Sequence, residues 1–379
     1  MSGWYLFDGK DQRKEVLTKE KTKELREKIK KIDAPPWRQF GKEQDLTEEA
    51  DNKRFESLIK LAKNKEREIK KGKNFRLSDS PPATEVRDAV NAAIYLRRPL
   101  LITGNPGSGK TSLAYAIAYE LNLGPVLSWS ITARSTLQEG LYRYDAIARL
   151  QDANKNNSDE QPIGQYIKLG ALGTAFLPSY LPRVLLIDEI DKSDINLPND
   201  LLNLFEEGQF EIPELVRRSK KKISQETDNL ETDNLETDNL ETENLFEVQT
   251  QDEGIDVVIK GGRVRCYAFP IIVMTSNGER DFPQAFKRRC LRVRMPDPTK
   301  DELEAIIKAH FGEKLFNDKA QEINDLMEKF IPKEGEGMDK ATDQLLNAIH
   351  IFTQKDSPRK PEEKEAIRKL LMKPLTESE

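Results

Sequence analysis

A glycine-rich segment that joins an apolar strand to a helix is the part of this sequence best suited to chemistry. The apolar run at 100–103 leads directly into Gly-Asn-Pro-Gly-Ser-Gly-Lys-Thr at residues 104–111. In this G-x-x-x-x-G-K-[ST] pattern, successive backbone N–H groups point at a phosphate chain, and the helix dipole adds to the attraction. Lys110 is placed to reach the β- and γ-phosphates of a nucleoside triphosphate, and the Thr111 hydroxyl to hold Mg²⁺. The predicted nucleotide-binding residues of this segment are Gly104, Asn105, Pro106, Gly107, Ser108, Gly109, Lys110, Thr111 and Ser112.

Two carboxylates follow a second apolar strand. The run at 183–187 ends in Asp188 and Glu189. In an open parallel sheet, ligands bind at the carboxyl ends of the strands, so these side chains are expected beside the phosphates. Asp188 can hold Mg²⁺ through its water shell, and Glu189 can polarise a water for in-line attack on the γ-phosphate. An adjacent glutamate favours hydrolysis over mere nucleotide sensing.

A third strand, predicted at residues 270–275, supplies another polar group at its end. Asn277 at the tip of this strand can orient the attacking water and contact the γ-phosphate. A short helix then ends in the basic pair Arg288 and Arg289. Taken alone, such a pair is typical of a solvated helix C-terminus that the dipole favours.

The elements that must position these residues alternate in type. Further apolar strands are predicted at 126–131 and 290–295, with helical patterns between the strands. This alternation predicts an α/β fold with a parallel sheet covered on both faces. After residue 296 only helical periodicity remains, with a capping box at Thr299 and Glu302. We therefore predict three regions: a charged helical region at 1–74, a nucleotide-binding core at 75–296 and a helical domain at 297–379.

Composition limits the class of protein. The chain has 379 residues, 37% of them hydrophobic, and a net charge of −5, which argues against wholesale electrostatic binding to nucleic acid. No apolar stretch approaches the ~20 residues needed to cross a bilayer, and residues 1–8 do not resemble a secretory signal. Cys266 and Cys290 lack metal-ligand spacing and predict packed thiols in a reducing compartment. His310 and His350 lie among apolar helical positions and are interpreted as structural.

Three segments leave alternatives open. The region before residue 75 is either a solvated leader or a segment that docks onto a neighbouring domain or subunit through its aromatic residues, which are Trp4, Tyr5, Phe7, Trp37 and Phe40. Glu-Thr-Asp-Asn-Leu repeats at 226–245 place their leucines on no common face, so a disordered insertion is predicted at about 223–252. The basic cluster at 217–222 is either a solvated loop or a grip for an acidic protein or a nucleic-acid backbone.

The ordered set of motifs resembles the AAA+ ATPases, and the MoxR-like branch in particular. The motifs are Gly104–Thr111, Leu185–Glu189, Ser276-Asn277 and Arg288-Arg289. Residues 131–176 are similar to the extra insertion of that branch, residues 201–210 to the helix after its acidic motif, and residues 286–290 to cyanobacterial-type members. The resemblance implies a five-stranded parallel sheet between helices, with a C-terminal all-α lid.

By the same resemblance, ATP and Mg²⁺ bind at the interfaces of a homo-oligomeric ring, expected to be a hexamer in the cytoplasm. Arg289, with Arg288 as the close second, would be the arginine finger offered to the neighbouring subunit. Lys340 matches the family's second sensor, a basic residue that would contact the phosphates in the same subunit. The alternative is that Lys340 is an ordinary exposed lysine before a helix. The implied function is ATP-driven remodelling of a partner protein, in some family members one with a von Willebrand A domain. One alternative is a nucleic-acid-associated motor subunit of a restriction-like or defence complex. Another is a nucleotide-gated binding switch with little turnover.

Overall fold

A computed structural model describes residues 4–10, 19–41, 47–155, 162–219, 244–332, 340–354, 356–358 and 360–374. The strands are β1 Leu100–Thr103, β2 Leu127–Ser130, β3 Tyr142–Tyr144, β4 Ile167–Leu169, β5 Val184–Asp188, β6 Gln209–Glu211, β7 Leu245–Gln249, β8 Asp256–Lys260, β9 Arg263–Arg265, β10 Ile271–Ser276 and β11 Leu291–Arg294.

The helices are α1 Lys19–Lys30, α2 Glu48–Asn64, α3 Glu66–Asn74, α4 Pro81–Leu96, α5 Lys110–Glu120, α6 Leu137–Leu141, α7 Ala146–Lys155, α8 Ala171–Ala175, α9 Leu197–Glu207, α10 at 213–219, α11 Gln284–Arg289, α12 Lys300–Phe311, α13 Glu313–Asp318, α14 Ala320–Phe330, α15 Thr342–Thr353 and α16 Pro361–Leu371. Short 3₁₀ turns occupy Pro36–Arg38, Ile163–Tyr166 and Ile190–Lys192.

A five-stranded parallel sheet in the order β11-β1-β10-β5-β2 forms the centre of the molecule. Its strands pair in parallel, with Leu100 opposite Val273 and Leu185 opposite Ile272. The predicted α/β fold with its parallel sheet is therefore confirmed. Because the sheet is parallel, the carboxyl ends of β1, β5 and β10 lie along one edge.

Side chains on these strands alternate between two apolar cores, because successive residues of a strand point to opposite faces. Leu185 and Ile187 belong to a core beneath the small sheets and α9, whereas Leu186 and Val273 belong to a core with α4 and α5. Strand β10 is buried throughout. Burial on both faces explains why these strands read as continuous apolar runs rather than as alternating patterns.

Two smaller sheets flank the centre, β3-β4-β7-β8 and β6-β9. Strand β7 corrects the predicted insertion boundary, which placed disorder as far as residue 252. Phe246 and Val248 are buried while their neighbours are exposed, so this alternation anchors a strand from Leu245 onward. The repeats at 226–243 and the basic residues 220–222 lie outside the described residues.

The N-terminal segment docks onto the core of its own chain. The backbone N–H groups of Leu6 and Phe7 donate to the Asn91 side chain at 2.7 and 3.1 Å, and Asp8 and Gly9 donate to the Glu120 carboxylate. Phe7 is fully buried. Residues 4–10 therefore dock onto the nucleotide-binding core, which is one of the two alternatives for this region.

Helices α12 to α16 form a separate apolar cluster that contains Leu303, Ile323 and Leu345. The predicted capping box starts α12, since the Thr299 hydroxyl accepts from Glu302 N at 3.3 Å and the Glu302 carboxylate accepts from Thr299 N at 2.8 Å. We call this helical region the lid, because it covers one side of the site described below.

Burial raises the pKa of both the Cys266 and Cys290 thiols to about 12. Both are free thiols, packed as predicted. Within the described residues, every helix is too short or too polar to cross a bilayer.

Candidate nucleotide-binding site

The turn after β1 has a backbone that requires glycine. Gly107 has a φ of 74°, and a Cβ there would lie 2.6 Å from the Ala341 Cβ and 2.7 Å from the Thr342 nitrogen. Gly109, with a φ of 91°, precedes the first turn of α5. Residues other than glycine rarely adopt these backbone conformations. They let the loop curl beneath the N-terminus of α5 and pack closely against the lid.

Lys110 is held inside this loop. Its Nζ donates to the Gly104 and Asn105 carbonyl oxygens at 2.8 and 2.7 Å, and only 7% of the residue is exposed. Burial lowers the pKa of Lys110, while the carboxylates of Asp191 and Asp188 oppose that shift. The ammonium group is thus aimed at the loop interior, where a phosphate would exchange for the two carbonyl contacts.

Asp188 receives hydroxyl donors from two different elements. Its Oδ1 accepts from the Thr111 hydroxyl at 3.0 Å and from the Thr275 hydroxyl at 2.6 Å. A threonine hydroxyl and a carboxylate are the oxygen donors that Mg²⁺ prefers, so the predicted metal pair fits that ion. Thr111 and Asp188 would hold it beside the phosphates.

Glu189 projects from a strained turn at the end of β5. Its φ of 60° lies in the left-handed region, which is uncommon for a residue with a side chain. Its carboxylate is 42% exposed and accepts from Lys192 Nζ at 2.8 Å. An exposed pair of this kind is worth at most about 1 kcal/mol, so the carboxylate remains available to a water in the cleft.

Asn277 follows β10 on the strand next to β5. Its backbone N–H donates to Asp191 Oδ2 at 2.9 Å. Asn277 and Glu189 both line the cleft that contains Lys110 and Thr111. The structure therefore brings together the residues predicted at the ends of β1, β5 and β10.

The cleft itself has a volume of about 550 Å³, within the range of small-molecule sites. Beyond the loop it is lined by residues that sequence reasoning missed, among them Lys71, Asn74, Phe75, Arg76, Leu77, Ile306, His310 and Leu346. They come from the end of α3, from the segment that joins α3 to α4, and from the lid. The apolar residues Phe75 and Leu77 in an otherwise polar linker were the available signal. His310, interpreted as structural, lies here with an exposed side chain.

Lys340 is placed differently from its predicted role. Its Nζ lies 3.5 Å from the Lys329 carbonyl oxygen, and the lid residues that line the cleft nearby are Thr342 and Asp343. The start of α15 therefore faces the loop, while the lysine side chain turns toward α14. Contact of Lys340 with phosphate stays a prediction that this geometry does not support.

The basic pair at the end of α11 lies outside the cleft. Arg289 forms an ion pair with Glu206 on α9, which lowers the pKa of that carboxyl and raises the pKa of the guanidinium. Arg288 is exposed, and its carbonyl accepts from Arg98 at 3.4 Å. Neither of these two arginines lines the cleft.

The fold and cleft together define a phosphate-loop nucleotide-binding protein of the parallel-sheet class. The family model described as AAA domain (dynein-related subfamily) matches residues 99–290. The match spans half of the chain, and the protein belongs to this AAA family.

Other comparisons are distant. The chain is similar to a solved structure of NtrX from Brucella abortus in complex with ADP, at 13% identity and a TM-score of 0.35. That likeness covers 85% of this chain and 61% of the NtrX chain, and it is too remote to inform function. No curated protein matches the sequence.

Proposed function

We propose that this protein is an ATPase of the MoxR-like branch, which binds ATP with Mg²⁺ and hydrolyses it in the cleft between the core and the lid. One observation carries the proposal: the phosphate loop, Asp188, Glu189 and Asn277 converge on one cavity. Bound Mg²⁺ would neutralise charge on the phosphates. Lys110 would bind the β- and γ-phosphates, Glu189 would take a proton from the attacking water, and Asn277 would orient that water.

The proposed active form is a homo-oligomeric ring, expected to be a hexamer. The position of Arg289 and Arg288 away from their own cleft supports action in the neighbouring subunit. To serve as the finger, Arg289 has to leave Glu206, and a partly exposed ion pair costs only about 1 kcal/mol to break. The work of the ring would be remodelling of a partner protein in the cytoplasm, with a von Willebrand A domain protein as one candidate.

A nucleic-acid motor is the second candidate function. The end of α10 carries Arg217 and Arg218 on the excursion that leads into the basic residues 220–222. The net charge of −5 counts against a large electrostatic footprint. Salt-dependent binding of labelled DNA that also stimulates ATP turnover would favour the motor over the partner-remodelling function.

The proposed hydrolysis predicts a specific defect in Glu189→Gln. The amide keeps the size of the side chain but cannot accept a proton, so we expect ATP turnover to fall by about 100-fold or more. ATP affinity should change little, because Lys110 and the loop remain. The measurement is steady-state phosphate release together with binding of a fluorescent ATP analogue.

The matched control is Glu207→Gln, which makes the same change at an exposed position on α9. It should leave turnover at the wild-type level. Turnover in Glu189→Gln equal to that of Glu207→Gln would remove Glu189 from the reaction.

A further inference from the structure

Strands β5 and β10 exchange side-chain hydrogen bonds at the edge where both meet the cleft. Val184 to Ile187 pair with Ile271 to Met274, so the next residues, Asp188 and Thr275, lie side by side. Beyond this point the chains diverge toward Glu189 and Asn277. Glu189 donates its backbone N–H to the side chain of Thr275, which lies on β10. Asn277 donates its backbone N–H to the side chain of Asp191, which follows β5.

Thr275 forms the first half of this exchange. Its hydroxyl oxygen accepts from Glu189 N at 2.8 Å and donates its proton to Asp188 Oδ1 at 2.6 Å. The residue is 1% exposed, so water does not compete for these bonds. One hydroxyl therefore links the predicted metal carboxylate to the backbone of the predicted base.

Asp191 forms the second half. Its Oδ2 accepts from Asn277 N at 2.9 Å and from Glu279 N at 3.1 Å. Asp191 is 4% exposed, and a buried carboxylate that accepts two backbone N–H groups fixes the turn that it caps. The turn after β10 is thereby fastened to the segment that follows β5.

The exchange explains how an unfavourable backbone conformation persists. A left-handed conformation at a residue with a side chain is unfavourable and persists only where the surroundings enforce it. Glu189 has a φ of 60°, and its N–H is the group that Thr275 accepts. This turn directs the Glu189 side chain away from the strand and into the cleft.

We propose that Thr275 and Asp191 are positioning residues, which hold Glu189 and Asn277 at a fixed separation around the attacking water. We call these four residues the cross-strand clasp. The proposal deepens the proposed ATPase function and rests on it. Neither Thr275 nor Asp191 needs to touch a phosphate for this role.

The test is Thr275→Val, which keeps the shape of the side chain and removes the hydroxyl. Glu189 N then lacks its acceptor and Asp188 loses one donor. We expect ATP turnover to fall by about 10- to 100-fold, since small misplacements of reacting groups have effects of that size. The dissociation constant for a fluorescent ATP analogue should change by less than about threefold, because the loop is untouched.

The chain offers a matched control in Thr174→Val. Thr174 is also 1% exposed, and its hydroxyl accepts one backbone N–H, from Gln251 at 2.9 Å, on a helix that does not line the cleft. Both valine variants should lower the melting temperature similarly, whereas only Thr275→Val should lower turnover strongly. Thr275→Ser restores the hydroxyl and should return turnover to within about threefold of wild type.

Coupling to Glu189 gives a second readout. In a Glu189→Gln background, Thr275→Val should add almost no further loss, because the group that it positions is already disabled. Asp191→Ala should lower turnover like Thr275→Val, and the double variant should lose less than the product of the two effects.

The outcomes separate the two levels of the proposal. A wild-type chain that forms a ring and hydrolyses no ATP overturns the proposed function and the clasp with it. An active wild type in which Thr275→Val equals Thr174→Val, or in which Thr275→Ser is as impaired as Thr275→Val, overturns the clasp alone.

Discussion

Lys110→Ala is expected to raise the dissociation constant for ATP by about 1,000-fold, since it removes charge-assisted contacts worth ~1.5–3 kcal/mol each. Lys110 is the one predicted site residue whose charged group lies inside the phosphate loop, at 2.8 Å from the Gly104 carbonyl oxygen. No other group in the loop can supply that charge to the β- and γ-phosphates. Titration calorimetry with ATP and Mg²⁺ measures the loss.

Lys168→Ala is the control for Lys110→Ala, because it removes an exposed lysine from the small sheet without approaching the cleft. It should bind ATP like the wild type. Melting curves of both variants identify a loss of folding. A folded Lys110→Ala chain with wild-type affinity would contradict the assignment of the phosphate loop.

Arg289→Ala is expected to keep ATP binding and to lose turnover by about 1,000-fold, the lower range of what arginine fingers supply. The variant leaves the cleft intact, since Arg289 contacts Glu206 and does not line the cleft of its own chain. Mixing Arg289→Ala with Lys110→Ala subunits should restore part of the activity. In such a mixed ring, a Lys110→Ala subunit lends its Arg289 to a neighbour that still binds ATP.

Arg288→Ala, one position earlier on the same helix, is the comparison for Arg289→Ala. We expect it to have the smaller effect. A larger loss in Arg288→Ala would transfer the role of the finger to Arg288. An absence of rescue in rings shown to be mixed would contradict action across the interface.

The central sheet was predictable because its physical causes are local. Strand β5 is buried on both faces, so its residues are apolar in a continuous run, and the run ends where Asp188 meets the cleft. The phosphate loop carries its own backbone requirements in Gly107 and Gly109, which no other residue meets without strain. Such features can be predicted from the residue types alone.

The remaining parts of the site depend on contacts between distant segments. In the sequence, Phe75 is an aromatic residue within a polar linker. Only the packing of α3 against α5 brings it to the cleft. The orientation of Lys340 is set by the lid helices, and Lys340 therefore faces α14 rather than the loop. Spacing along the chain cannot predict such orientations.

The role of the Thr275 hydroxyl could not be predicted from the sequence either. In the sequence it is one β-branched residue within an apolar strand, and strand propensity alone explains its presence. Its hydroxyl acquires a function only because β10 lies beside β5 in the register that places it between Asp188 and Glu189. The insertion boundary was wrong for a related reason, since β7 is stabilised by its pairing with β8.

The most direct test of this account is ATP turnover per subunit as a function of protein concentration, with the molar mass measured in the same samples. In this account an active site needs Glu189 from one subunit and Arg289 from the next. We therefore expect slow turnover in monomers and a steep rise as rings assemble with ATP and Mg²⁺. Full turnover per subunit in samples that stay monomeric would contradict it.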